Sequence, residues 1–132
     1  MQFMIVVQGG PYTTQASLTA WHFARAVLAS GHEIYRVFFY HDGAYNGNTL
    51  ISPPQDEIDL HQAWRSLGKD HSLELIVCVA SALRRGMLDE TEAQRYEKAA
   101  STLDPQFTLS CCGQLIAAAL PVYRPLPFGS RP

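Results

Sequence analysis

The sequence predicts an α/β fold: a single-domain, three-layer sandwich around a five-stranded, mainly parallel sheet. The first observation behind this prediction is that apolar, β-branched runs alternate along the chain with segments whose apolar residues recur at helical spacing. The second is the composition, 47% hydrophobic and 17% charged, because strands covered by helices on both faces carry few charges. The third is the length, since 132 residues suit one domain, taken as 1–132, with no repeat or linker.

The first half of the chain contains two predicted strands and one helix. A continuous apolar run predicts the first strand at 3–7. Helical spacing of apolar residues begins at Ala16, and Gly31 supplies a helix C-terminus. The β-branched and aromatic run at 34–40 predicts the second strand. The loop that follows, 41–54, is rich in Gly, Asn, Ser and Pro and is long enough to indicate a functional role.

The second half continues the alternation. A second helix is predicted next, with acidic residues near its positive end, namely Asp56, Glu57 and Asp59, and apolar residues on one face, namely Leu60, Ala63, Trp64 and Leu67. The remaining strands are predicted at three further apolar runs: 73–79, 107–110 and 122–128. Helical segments are predicted between and beside them: 80–86, 89–100 and 113–120.

We expect the flavodoxin-like strand order 2-1-3-4-5, since right-handed crossovers join parallel strands and five strands suit this arrangement. Pro125 and Pro127 test the order, because proline has no N–H for a sheet ladder and a strand with two prolines belongs at an edge. The fifth strand is an edge in that order. Sites in such sheets form beyond the carboxyl ends of strands 1 and 3.

Charge and hydropathy exclude two classes of partner. The formal net charge is -2 and the chain has no long basic run, so we expect no direct nucleic-acid binding. No apolar run approaches the roughly 20 residues that span a bilayer, so we expect no membrane insertion. The N-terminus is typical of a strand rather than of a signal peptide, which predicts a cytoplasmic protein.

Cys78 closes the predicted third strand, at the expected position of the site. A thiol there would face the start of the following helical turn and lie near Arg84 and Arg85. Both features stabilise thiolate, which is the form that attacks sulfur. Cys78 equally fits the role of a small apolar residue in a buried strand, so the spacing leaves both interpretations open.

The other cysteines, Cys111 and Cys112, follow the predicted fourth strand, which neighbours the third. They could approach Cys78 and resolve a persulfide or sulfenic acid, or they could be small residues at a crowded turn. An odd number of cysteines is unlike a disulfide framework, so thiols are expected.

The remaining motifs are weak. The histidines and cysteines show no metal-ligand spacing, so no metal site is expected. Gly9-Gly10 lacks the rest of a phosphate-binding loop. His41-Asp42 fits either a dyad at a strand end or a solvated loop.

Ordered matches over nearly the whole chain resemble the TusD/DsrE sulfurtransferase family. The matching segments are Gly31-His32-Glu33 with Val37-Phe38-Phe39-Tyr40, Asp42-Gly43, Asn46, Ser52-Pro53 with Asp56-Glu57, Cys78-Val79-Ala80, Leu83-Arg84-Arg85-Gly86, Asp89-Glu90 with Glu92-Ala93, and Phe107-Thr108-Leu109-Ser110 with Gly113-Gln114-Leu115. Two segments depart from the family pattern: Cys111-Cys112, where Gly-Leu is usual, and the proline-rich last strand.

The resemblance implies that Cys78 accepts a persulfide sulfur from a small TusA-like donor and passes it to a TusE/DsrC-like carrier. It also implies two paralogous subunits, of TusB/TusC or DsrH/DsrF type, in a dimer of heterotrimers. The sulfur would go to 2-thiouridine at the tRNA wobble position or, in the Dsr branch, to dissimilatory sulfur oxidation. No cofactor is implied. From their position alone, we expect Arg84 and Arg85 to help hold negative charge.

Two other hypotheses belong to different classes. A non-catalytic scaffold subunit would use Cys78 only for packing, and the presence of the thiol argues against it. A flavin- or nucleotide-binding module would need a phosphate loop that the sequence lacks.

Overall fold

A computed structural model describes residues 2–111 and 124–129 of the chain. Its strands form one sheet in which every pairing is parallel. The strands are β1 (Gln2–Val7), β2 (Glu33–Phe39), β3 (Leu75–Cys78), β4 (Phe107–Ser110) and β5 (Arg124–Phe128). The predicted α/β class with a five-stranded parallel sheet is therefore confirmed.

The strand order is β4-β3-β2-β1-β5. In the expected order 2-1-3-4-5, β1 would lie between β2 and β3. In the structure β1 lies between β2 and β5, and β3 pairs with β2. The first three crossovers each move one strand in the same direction, and only the last connection returns to β1. Sequence periodicity carries no information on the direction of a crossover. The predicted edge position of β5 is confirmed, with Pro125 opposite Met4 and Pro127 opposite Val6.

Two helices cover one face of the sheet. Helix α1 (Ala16–Ala29) ends before Gly31, whose φ of +82° is the left-handed conformation that glycine adopts at low cost. Helix α2 (Leu60–His71) begins at Asp59, whose carboxylate accepts a hydrogen bond of 3.1 Å from the Gln62 N–H. Alternate strand residues meet these helices in one apolar core that includes Ile5, Val7, Val37, Phe39, Leu75 and Val77 from the strands, with Ala20, Ala24, Trp64 and Leu67 from the helices.

The opposite face carries the intervening strand residues, because successive side chains of a strand point to opposite sides. Met4 and Val6 form one small cluster on this face. Phe38, Ile76 and Cys78 form another. Cys78 therefore points away from the layer made by α1 and α2.

Short helical segments follow the strands. A 3₁₀ segment (His41–Gly47) begins the loop after β2, α3 (Val79–Arg84) follows β3 directly, and α4 (Glu90–Arg95) lies before β4. Helix α4 is shorter than the predicted 89–100, because Glu97 takes a left-handed φ of +54° and turns the chain out of the helix. The predicted helix 113–120 lies outside the described residues.

Gly43 shows why the 3₁₀ segment can lie so close to β1. A Cβ atom at this position would overlap the Val7 carbonyl oxygen. We expect Gly43→Ala to lower the free energy of unfolding by about 1–3 kcal/mol, since the backbone must shift to relieve the overlap. Urea denaturation measures the change. Gln55→Ala, at an exposed position of the loop that follows, is the control, and equal stability of the two variants would contradict the close approach.

Candidate functional site at the carboxyl edge of the sheet

Cys78 lies at the carboxyl end of β3, as the sequence predicts, and is also the N-cap residue of α3. Its neighbours in the sheet are β2 and β4, so it does not lie beside β1, as the expected order would require. The residue is 1% exposed and packs with Phe38 and Ile76, against which Tyr40 also lies. A reaction at this thiol therefore depends on what opens a path to it.

Cys111 lies at the same edge of the sheet. In the parallel register Cys78 is opposite Ser110, and Cys111 is the next residue. Neighbouring strands are about 4.8 Å apart, so the two cysteines belong to one small region. Cys111 is exposed whereas Cys78 is buried. Cys112 lies outside the described residues.

The two arginines expected near Cys78 lie at the far end of α3. Arg84 is the last residue of this helix and is exposed. At 1.5 Å per residue it is about 9 Å along the helix from Cys78. Arg85 donates from Nε to Asp42 Oδ1 at 2.8 Å and from Nη1 to the Ser81 carbonyl oxygen at 3.1 Å. Arg85 therefore connects α3 to the 3₁₀ segment, and its role toward the thiolate stays a prediction.

A second bond joins the same two elements. The His41 backbone N–H donates to Ser81 Oγ at 3.0 Å, and Ser81 is buried. His41 has a left-handed φ of +51°, and its ring lies 4.1 Å from that of Tyr40, measured between centroids. The sequence left open a dyad of His41 and Asp42. In the structure the Asp42 carboxylate pairs with Arg85 instead.

A buried polar network holds the loops behind this edge. Ser17 Oγ donates to Asn46 Oδ1 at 2.6 Å, and Trp64 Nε1 donates to Ser17 Oγ at 3.1 Å. The Asn46 amide nitrogen donates to the carbonyl oxygens of Gly43 and Gly9 at 2.9 and 3.3 Å. Each bond satisfies a group that would otherwise be buried without a partner, so the network fixes the chain after β1 and β2.

Tyr12 fixes the loop after β1 from outside. Its hydroxyl donates to the Ile58 carbonyl oxygen at 2.7 Å and accepts from the Leu60 N–H at 3.0 Å. Burial raises the pKa of Tyr12 above its ordinary value. A cavity of about 270 Å³ lies between this loop and the 3₁₀ segment, and Gly10, Tyr12 and Asp42 are among the residues that line it. The carboxylate of Asp42 is therefore reachable from solvent.

The buried carboxylate of Asp104 accepts hydrogen bonds from several groups. His61 Nε2 is 2.7 Å from Asp104 Oδ2, and Arg65 Nε is 3.1 Å from the same oxygen. The Gln106 N–H donates to the other Asp104 oxygen at 2.8 Å. Within residues 2–111 and 124–129, no group of three or more His, Cys, Asp or Glu side chains is placed to hold a metal ion. No helix of that same part of the chain is long and apolar enough to cross a membrane.

Sequence reasoning proposed Cys78 as the site residue, which stays a prediction, and it did not anticipate the long-range bonds of the structure. Asp42 and Arg85 are 43 residues apart, as are His61 and Asp104. No local pattern joins such distant residues. The only sequence signal was that Asp42 and Arg85 both lie in segments that match the family.

The fold and this edge define an α/β protein with a cysteine at the carboxyl end of an interior parallel strand. The chain belongs to the DsrE/DsrF-like family, whose model matches residues 1–128. The predicted resemblance is thereby confirmed. A relative from Allochromatium vinosum, named "Putative sulfurtransferase DsrE", is 46% identical over 129 residues, which cover 98% of this chain and 99% of the relative.

A solved structure has the same fold. The crystal structure of the ychN protein from E. coli aligns with a TM-score of 0.75 over 97% of this chain and 100% of that one. The two sequences are 18% identical, so this likeness concerns the fold alone.

Proposed function

We propose that this chain is a cytoplasmic sulfurtransferase subunit that carries sulfur as a persulfide on Cys78. The observation that carries the proposal is the position of Cys78 at the carboxyl end of β3, in a chain 46% identical to a relative named as a sulfurtransferase. Sites in parallel α/β sheets lie at this edge, where loops and helix starts surround the strand ends. No cofactor enters the proposal.

The chemistry conserves atoms and electrons. The Cys78 thiolate attacks the outer sulfur of a persulfide on a TusA-like donor, and a new S–S bond forms as the donor thiolate leaves. The thiolate of a TusE/DsrC-like carrier then attacks the same outer sulfur, and Cys78 is restored as a thiolate. Neither step is a net oxidation or reduction. Arg84 and Arg85 would attract the anionic groups that take part.

The proposal includes two destinations for the sulfur. One is 2-thiouridine at the tRNA wobble position, and the other is dissimilatory sulfur oxidation, which the 46% identity to a DsrE relative favours. In both, the chain would work beside two paralogous subunits, of TusB/TusC or DsrH/DsrF type, in a dimer of heterotrimers. Offering the loaded protein separately to a TusE-type and a DsrC-type carrier, and measuring which one removes the sulfur, distinguishes the destinations.

A second candidate function is a non-catalytic scaffold subunit, and the burial of Cys78 is the observation that favours it. One experiment separates the two candidates. The protein is incubated with a persulfidated donor and then digested. Mass spectrometry measures the mass of each peptide that contains a cysteine. We expect one added sulfur atom on the Cys78 peptide. An unloaded protein would support the scaffold, and sulfur on Cys111 or Cys112 alone would move the site by one strand.

A further inference from the structure

The burial of Cys78 raises the question of what opens the site. Among the described residues, the side chain of Tyr40 packs against the cluster that contains Cys78. Tyr40 is the last residue before the 3₁₀ segment. Helix α3 begins at Cys78 itself and contacts the 3₁₀ segment. Separation of these two elements would therefore change the exposure of the thiol.

Two side-chain bonds hold these two elements together. His41 N–H donates to Ser81 Oγ in the first turn of α3, and Arg85 at its end pairs with Asp42. The first bond is buried at Ser81. The second is open to water, since the side chains of Asp42 and Arg85 are 60% and 21% exposed. The ion pair is the part of this connection that solvent and other charges reach.

The ion pair and the backbone strain act in opposite directions. An exposed ion pair stabilises a contact only weakly. The left-handed φ of +51° at His41, a residue with a Cβ atom, is strained and favours release of the turn. The ion pair and the bond from His41 to Ser81 together oppose this strain, so loss of the pair would raise the population in which the start of the 3₁₀ segment leaves α3.

We propose that the Asp42–Arg85 ion pair is a latch that limits access to the Cys78 thiol. When the pair breaks, the turn at His41 relaxes and Tyr40 moves from the cluster around Cys78. The latch gives the sulfur-carrying role a closed resting state, and it rests on the proposed function for its biological purpose. The latch itself can be tested without sulfur transfer, because it concerns only the accessibility of the Cys78 thiol.

The test measures the rate at which iodoacetamide alkylates Cys78 in the folded full-length protein. Samples are then digested, and mass spectrometry gives the alkylated fraction of the Cys78 peptide. For Asp42→Asn and Arg85→Gln we expect a rate about two- to fivefold above wild type, which is the range that the strength of an exposed ion pair sets. Arg95→Gln is the matched control, since it removes another exposed ion pair, the one between Arg95 and Glu92 in α4. Its rate should equal that of wild type.

Two further measurements separate a latch from a general loss of stability. The exchanged pair Asp42→Arg with Arg85→Asp should return the rate toward the wild-type value. In wild type, rising ionic strength should increase the rate by screening the pair, and this dependence should vanish in Asp42→Asn. A wild-type rate that is independent of salt, or an equal increase in Arg95→Gln, overturns the latch.

The outcome does not depend on the sulfur-loading experiment. Faster alkylation in the variants of a protein that never accepts sulfur would leave the latch standing and contradict the proposed function. Sulfur loading on Cys78 together with equal alkylation rates in all variants would support the proposed function and contradict the latch.

Discussion

Replacing Cys78 with alanine or serine should abolish the uptake of sulfur from a persulfidated donor. The hydroxyl of serine stays protonated at neutral pH and alanine has no nucleophile, so neither residue can form the S–S bond of the intermediate. The expected result is a complete loss of the mass of one sulfur atom, under conditions in which the wild-type protein carries it.

Two substitutions are needed because Cys78 is buried beside Phe38 and Ile76. Serine places a hydroxyl in this apolar cluster and is expected to destabilise the protein by about 1–3 kcal/mol unless it finds a partner. Alanine removes one atom without adding a polar group. If both variants fail to load although their stabilities differ, the loss is chemical. Cys111→Ser is the control and should load as wild type does, whereas loading of Cys78→Ala would refute the assignment of the thiol.

Replacing Asp104 with alanine should lower the free energy of unfolding by about 1–3 kcal/mol for each buried donor that it leaves without an acceptor. The side chain of Asp104 is 6% exposed and that of His61 is 4% exposed, and the two are 2.7 Å apart. The substitution removes the acceptor of His61 and Arg65 together, and it also leaves the Gln106 N–H without its bond. Removing one member of a buried pair is costly because the remaining polar groups lose their compensation.

Urea denaturation of the variant measures this loss. Asp104→Asn is the informative second variant, since its amide oxygen can still accept one hydrogen bond, and we expect an intermediate stability. Asp70→Ala removes a carboxylate from an exposed position of α2 and should change stability by less than about 0.5 kcal/mol. A loss at Asp104 as small as that at Asp70 would mean that the buried pair contributes nothing.

The strands were predictable where a segment carried its own signal. The run at 34–40 predicts β2 because β-branched and aromatic residues fit a pleated, buried surface, and β2 spans Glu33–Phe39. Helix caps, helix ends and an edge strand can also be expected from sequence, because their signals act over a few residues. The examples here are Asp59 at the start of α2, Gly31 after α1 and the prolines of β5. Helix α4 was overextended, because the left-handed turn at Glu97 has no residue-type signal.

Periodicity and residue type act locally, and they were enough to predict an α/β domain and a buried strand that ends at Cys78. Tertiary structure decided the strand order and thereby placed Cys78 between β2 and β4. It also decided that the thiol is buried and that Asp42 meets Arg85 across 43 residues of chain. Such properties depend on which segments pack together in three dimensions, and a pattern within one segment does not contain that information.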